Sequence, residues 1–306
     1  VNRNQFGGVF GGPIIKDRTF FFGSLQRWTT RLLGSGSIIN GAPTEEGRRA
    51  LESIAAGRPT VRALLDNLPA GAANGNSRTV TADGRTLTIP LGNLTGAAAG
   101  KFDDWQYSGR IDHRFNDKHS LMGRYMVDDS TSSGTGQATP AGLTNVVPQA
   151  SKSVIVALTS SLRPTILNDF RVSYNRFVAS TNAQNPAVAE RIPSIEVPDL
   201  GLRQFNSGAA RTGIGLAANL PSATFINGYQ IQNSISVIKG AHSMKFGVDL
   251  RRQEQFGNFL PQLRGRLEYA NLQALVDDRA TAAQINALLP GALATLQYRY
   301  YDYFFY

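Results

Sequence analysis

The sequence predicts an all-β protein: an antiparallel up-and-down transmembrane β-barrel, here an incomplete open half-barrel with long extracellular loops containing short helices. Three observations predict it. Strands of roughly ten or more residues alternate apolar and polar side chains. Their polar side carries more charge than a packed core tolerates. Tight turns alternate with long excursions, a sorting of loops by end that a soluble sandwich has no reason to keep and that a barrel needs, with short turns facing the periplasm.

The alternation is clearest in WQYSGRIDHRFNDKHSLMGRYM, Trp105 to Met126. Trp105, Tyr107, Gly109, Ile111, His113 and Phe115 share one face of a strand, and Gln106, Ser108, Arg110, Asp112 and Arg114 the other. Asn116, Asp117 and Lys118 supply the turn, after which Leu121, Gly123 and Tyr125 continue the apolar face opposite Met122 and Arg124.

Upstream, Asn4 to Gly23 (NQFGGVFGGPIIKDRTFFFG) predicts a glycine-rich strand, a turn at Lys16, Asp17 and Arg18, and an aromatic strand from Thr19 to Gln26. Pro13 cannot donate to a ladder and belongs near a strand end. Of Phe20, Phe21 and Phe22, one or two are expected at a membrane interface and the rest inward. From Trp28 to Gly100 the alternation disappears, and the segment reads as a large loop. Within it Thr44 caps a helix running to Ile54, with Glu45 and Glu46 in its first turn, and Val61 to Leu68 forms a second.

Downstream, Asp128 to Ser151 reads as a second excursion. Ser153 to Leu162 and Leu167 to Ala179 form a hairpin around Arg163, Pro164 and Thr165. Ala183 to Phe225 is a third excursion. Tyr229 to Ile238 and Ser243 to Gln253 form a hairpin around Lys239, Gly240 and Ala241. Gly257 to Arg264 connects to a strand starting at Leu267 to Tyr269, a helix lies within Asn271 to Leu289, and Leu296 to Tyr306 is a last aromatic strand. The total is about ten or eleven strands, roughly half of a 22-stranded barrel.

Composition narrows the function. The net charge is +9, but the basic residues are scattered rather than clustered, so no nucleic-acid partner is expected. No apolar run approaches the roughly 18 residues of a membrane-spanning helix. With no cysteine, thiolate metal sites and cysteine nucleophiles are unavailable. His113, His119 and His242 lack metal-ligand spacing, and the pairs Asp103/Asp104, Asp128/Asp129 and Asp277/Asp278 lack calcium-loop spacing and read as solvated loop charge. GPIIKDR is not a phosphate loop, and no hydrolase or metalloprotease motif occurs. No enzymatic activity, cofactor or metal is expected. The candidate site is a lumen wall of Arg110, Asp112, Arg114, Arg124, Arg171, Lys245, Asp249 and Arg251, which share the inward phase. Such a wall could contact a plug or an anionic solute, or form salt-bridge ladders in hydrated space, and the ladders are the commoner outcome.

The phrases NQFGGVFGGPIIKDRTFFFG, GRIDHRFNDKHSLMGRYM at 109–126, HSMKFGVDLRR at 242–252 and GRLEYANLQALVDD at 265–278 together resemble TonB-dependent outer-membrane receptors. The resemblance is to the Oar-like group, which carries an N-terminal carboxypeptidase-regulatory-like domain. It implies a location in the outer membrane of a Gram-negative-type bacterium. Residues 1–306 would be one partial barrel domain, lacking the plug and C-terminal strands and cut at Val1 and Tyr306. The implied partners are outer-membrane lipid, the protein's own plug and remaining strands, a TonB-type energy-coupling protein, and a bulky solute such as a siderophore, oligosaccharide or peptide. Two alternatives stand beside this one: a surface binding or adhesion barrel that transports nothing, and a soluble β-sandwich or lectin-like domain with Tyr107, Ile111, Val172 and Phe246 in a closed core.

Overall fold

The computed structural model describes residues 1–33, 37–136, 143–203, 212–258, 265–284 and 296–305. Nine strands form one antiparallel sheet in chain order: β1 (Asn2–Ile15), β2 (Thr19–Leu33), β3 (Ala99–Arg114), β4 (His119–Gly136), β5 (Thr144–Arg163), β6 (Ile166–Ala183), β7 (Ser222–Lys239), β8 (His242–Asn258) and β9 (Leu296–Phe305). Among the described residues the sheet does not close, and β1 and β9 are its edges. Nine is fewer than the count expected from sequence, because Arg266–Glu268 joins a separate small sheet. Tyr306 and residues 259–264 and 285–289, which the sequence reading included in a strand, a connection and a helix, lie outside the described residues.

Each hairpin closes where turn chemistry demands. Asp17 adopts a left-handed backbone (φ 62°) between β1 and β2, which a short polar side chain tolerates better than most. Between β3 and β4 the Asn116 carboxamide oxygen accepts from the Lys118 and His119 amides at 2.9 and 3.0 Å, an Asx turn. Lys239 pairs with His242 around Gly240, which has φ 58°.

Register then fixes the two faces. Tyr107 pairs with Val127, Gly109 with Tyr125 and Ile111 with Gly123, so the apolar positions of β3 and β4 coincide. The same phase continues through Val154 and Val156 to Tyr174 and Val172. These side chains have nothing packed over them: Ile111 is 54% exposed and Phe246 59%. Among the described buried hydrophobic residues, only Val127 and Ala157 belong to the nine-stranded sheet. A sandwich would bury this face against a second sheet. The soluble alternative is therefore wrong, and the apolar face is a lipid-facing band.

Along β3 the band runs from Trp105 to His113. Above it the outward positions turn charged. Arg27, the direct partner of Trp105, places its guanidinium 4.8 Å from the indole centroid and binds Asp103 at 2.7 Å. Further round, the Tyr174 and Tyr229 rings lie 5.1 Å apart, tilted by 39°, below Arg176. Aromatic residues beneath a polar rim mark a membrane interface, and this one lies at the end of the strands away from the short turns. Phe21 faces outward with Phe10, 5.9 Å from its ring, while Phe20 and Phe22 pair with the inward Asp112 and Arg110.

Two sequence readings need correction. Asp128 to Ser151 is not an excursion but an extension of the hairpin, with Asp128 opposite Ser151 and Gly136 opposite Thr144. Both faces there are wet, so alternation gives no signal although serine, threonine and valine still suit a strand. Likewise β2 runs to Leu33, and the segment after it contains three further strands, Ser37–Pro43, Ala72–Ala82 and Arg85–Gly96. Asp83 and Gly84, at φ 52° and 69°, form the tight hairpin turn that an Asp-Gly pair announces. The helices fall close to their expected places, α1 at Glu45–Glu52 and α2 at Pro59–Asn67. The Thr44 hydroxyl caps α1 by accepting from the Gly47 amide at 3.1 Å.

Candidate functional site: a polar wall beneath a fused loop module

All eight predicted wall residues share the face opposite the lipid band. Register carries Arg110 through Arg124, Ile155, Ser173 and Gln230 to Arg251 in one row, and Asp112 through Met122, Ala157, Arg171 and Gln232 to Asp249 in the next. Arg114 and Lys245 lie nearer the turns in the same phase. The arginines are mostly tied to carboxylates two residues along their own strand. Arg110 binds Asp112 at 2.7 Å, Arg171 binds Asp169 at 2.8 Å, and Arg251 binds Asp249 at 2.8 Å. Side chains two apart in a strand share a face, so this spacing favours bidentate pairs. Asp249 is the most enclosed, 4% exposed, and also accepts from Gln230 at 2.9 Å and Gln232 at 2.8 Å. Arg124 stands directly opposite Arg110 and makes no ion pair among the described residues. A hollow of about 310 Å³ opens here beside Arg110, Arg114 and Arg171.

Nearer the aromatic interface the wall changes character, a tier that sequence reasoning missed. Gln26, Gln106, Asp128 and Ser151 occupy one row, and Ser24, Ser108, Met126 and Ser153 the next. Gln106 donates to Asp128 at 3.0 Å and to Asp104 at 2.9 Å, and the Ser24 and Ser108 hydroxyls are 2.7 Å apart. A groove of about 820 Å³ lies along these residues. Asp104, 2% exposed, pairs across the strands with Trp28, and its Oδ1 and the indole Nε1 are both buried without a partner. The signal was available: Gln26, Gln106 and Asp128 share the inward phase but carry little net charge. The paired aspartates split across the sheet, Asp104 inward and Asp103 outward to Arg27 and Arg31.

The long excursions leave the strands at the end away from the turns and fold into one body. One hydrophobic core contains Ile39, Leu51, Leu64 and Ile89 from the segment between β2 and β3, Ile195 and Leu202 from that between β6 and β7, and Tyr269 and Leu275 from that between β8 and β9. Polar bonds cross the same junctions. The Thr60 hydroxyl donates to the Leu275 carbonyl at 2.8 Å, and the Gln273 carboxamide bonds both the amide and the carbonyl of Thr81, at 2.7 and 3.0 Å. Arg78 approaches Asp199 at 3.4 Å. At Gly41 a Cβ would lie 2.6 Å from the Leu200 Cα, so only glycine lets these two segments meet so closely. In a short helix, Leu272–Val276, Asn271 caps by accepting from the Ala274 amide at 2.9 Å. The Tyr269 hydroxyl donates to Asp278 at 3.1 Å, and burial, with that bond, pushes its pKa up to about 12. The Arg58 guanidinium beside Asp83 holds that carboxyl below its usual range.

The sequence matches the family described as an outer membrane beta barrel domain over residues 1–305. The chain belongs to that family. The barrel domain is therefore an outer-membrane protein, in agreement with the exposed apolar band. Its fold is similar to that of the outer membrane transporter YddB from Escherichia coli, with a TM-score of 0.53 and 10% identity, covering 99% of this chain and 31% of that one. The siderophore receptor PiuA from Acinetobacter baumannii also matches, with a TM-score of 0.36 and 8% identity, over 99% of this chain and 41% of that one. The barrel domain thus spans less than half the length of either. No curated protein sequence is similar enough to count as a relative.

Proposed function

We propose that this barrel domain is part of a TonB-dependent receptor that captures a bulky solute at the fused loop module and admits it past a plug, driven by an inner-membrane energy-coupling protein. The observation that carries this reading is the module itself: a folded body with its own core, built from three loops at one end of a membrane sheet with a hydrated charged wall. Loops that served only to connect strands would need no such core. The parent is a Gram-negative-type receptor of the Oar-like group, and residues 1–306 are the early part of its barrel. It carries out no catalysis. In the rows of β3 to β8 nearer the turns, the six cations Arg110, Arg114, Arg124, Arg171, Lys245 and Arg251 outnumber Asp112, Asp169 and Asp249, while Asp104 and Asp128 face the same way in the upper tier. This balance favours an anionic solute or a plug surface rich in carboxylates.

The test is uptake by cells expressing the full-length protein, using a panel of ferric siderophores, maltodextrins and short peptides. Uptake of one class should disappear with a protonophore and with removal of residues 37–96. Binding that survives the protonophore without any uptake would assign a surface adhesion barrel instead.

A further inference from the structure

Lys152 on β5 and Arg176 on β6 are direct cross-strand partners, both exposed and both in the outward phase of Val154 and Tyr174. Like charges placed opposite each other repel, and a strand pair normally avoids this or supplies a counter-charge. Outward arginines nearer the loops on β2 do have one: Arg27 and Arg31 share Asp103, at 2.7 and 2.8 Å. The flanking positions in the row of Lys152 and Arg176 are Val127 and Asn227. Along their own strands the same-face neighbours are Ala150, Val154, Tyr174 and Val178. None is a carboxylate; the nearest outward one, Asp129, lies diagonal to Lys152 across β4, one step towards the loops, and makes no ion pair with it among the described residues. Beyond Asn227 lies Glu254, which is engaged by Arg252. Neither Lys152 nor Arg176 makes an ion pair among the described residues.

We propose that Lys152 and Arg176 bind the phosphate of an anionic lipid in the outer leaflet of the membrane. The pair sits one step above the Tyr174 and Tyr229 rings; strand tilt lifts that row from Tyr125, within the band, to the rim of the apolar band here, where lipid head groups meet the protein. Arg176 is held in place: its Nη1 donates to the Asn227 carboxamide oxygen at 3.2 Å, and the Tyr174 hydroxyl donates to the same oxygen at 2.9 Å. The remaining guanidinium donors form a fork suited to phosphate, and Lys152 adds a point charge. Below the pair, Val154, Val156 and Val172 offer an apolar track for an acyl chain. A free phosphate could use the cations but not the track, so a lipid gains from both. The proposal depends on the outward phase of the apolar face and not on solute uptake.

The experiment is native mass spectrometry of the full-length protein in detergent, with diphosphoryl lipid A, the same lipid stripped of its phosphates, and inorganic pyrophosphate as probes. Wild type should retain one diphosphoryl lipid A, and Lys152→Gln with Arg176→Gln should retain it at least tenfold less. Lys118→Gln, in the turn at the other end of the strands, should retain it as wild type does. Lys152→Arg, which preserves the charge, should also retain it, and this keeps the test open if the double variant folds poorly. Equal retention by wild type and double variant, equal retention of the dephosphorylated lipid, or displacement by an equal concentration of pyrophosphate would each overturn the proposal.

Discussion

Placing one arginine in the middle of the lipid band tests the face assignment most directly. The band on β3 runs from Trp105 to His113, which at about 3.3 Å per residue and a tilt of about 40° is about 20 Å tall. Its midpoint is Gly109, whose direct partner on β4 is the exposed Tyr125. Tyr125→Arg therefore puts a charge near the bilayer middle, at a cost of about 2–4 kcal/mol, or about thirty-fold to nearly a thousand-fold in the folded-to-unfolded ratio. Tyr107 lies about 5 Å higher by the same geometry and should cost somewhat less. Arg110→Ala removes a partly exposed pair with Asp112 on the other face, which contributes about 0–1 kcal/mol. The measurement is urea-titrated folding of the full-length protein into phosphatidylcholine vesicles, with the folded fraction read from heat-modifiable gel mobility. The reasoning fails if Tyr125→Arg and Arg110→Ala lose the same stability.

Other substitutions probe the loop module. Leu275→Ala removes a fully buried side chain from the segment between β8 and β9 and should cost about 2–4 kcal/mol locally; limited proteolysis should then cut faster within residues 37–96, and unchanged cutting there would mean the excursions are independent. Gly41→Ala drives a Cβ into the Leu200 backbone and should loosen the same module by about 1–3 kcal/mol, read as increased hydrogen exchange in residues 195–202. For Tyr269 the folded pKa is raised to about 12 from the ordinary 10.0, so its contribution is fully present below pH 10 and is lost as pH rises towards 12. Tyr269→Phe should flatten the loss of protease resistance between those values, and an unchanged slope would assign the pH dependence to other groups.

The sheet was legible in the sequence wherever its two faces meet different solvents. Between Trp105 and Met126 one side faces lipid and the other water, and period-2 alternation recorded that difference residue by residue. Above the interface the same strands continue with both sides in water, so Asp128 to Ser151 lost its pattern while keeping its pairing. All eight wall positions could be placed by phase, but their pairing could not. Nothing in the order of residues says that Asp249 also gathers Gln230 and Gln232 from the next strand. The amide-and-hydroxyl tier escaped because charge drew the reading, although Gln26 and Gln106 occupy the same phase. The module was the largest omission. Each excursion alone shows only scattered apolar residues such as Ile39, Ile195 and Leu275, and their common core becomes visible only when all three lie at one end of the sheet.

That common core also sets an order of events for the growing chain. Each of the short-turn hairpins pairs residues close in sequence, so those parts of the wall can form as the chain arrives. The bond from Thr60 to Leu275 spans 215 positions, and contacts so distant carry a large chain-closure cost and form late. The first excursion, with α1, α2 and its three strands already made, therefore lacks the cover of Leu272 and Leu275 until those residues are delivered. The part of the molecule nearest the outside is the last to become solid.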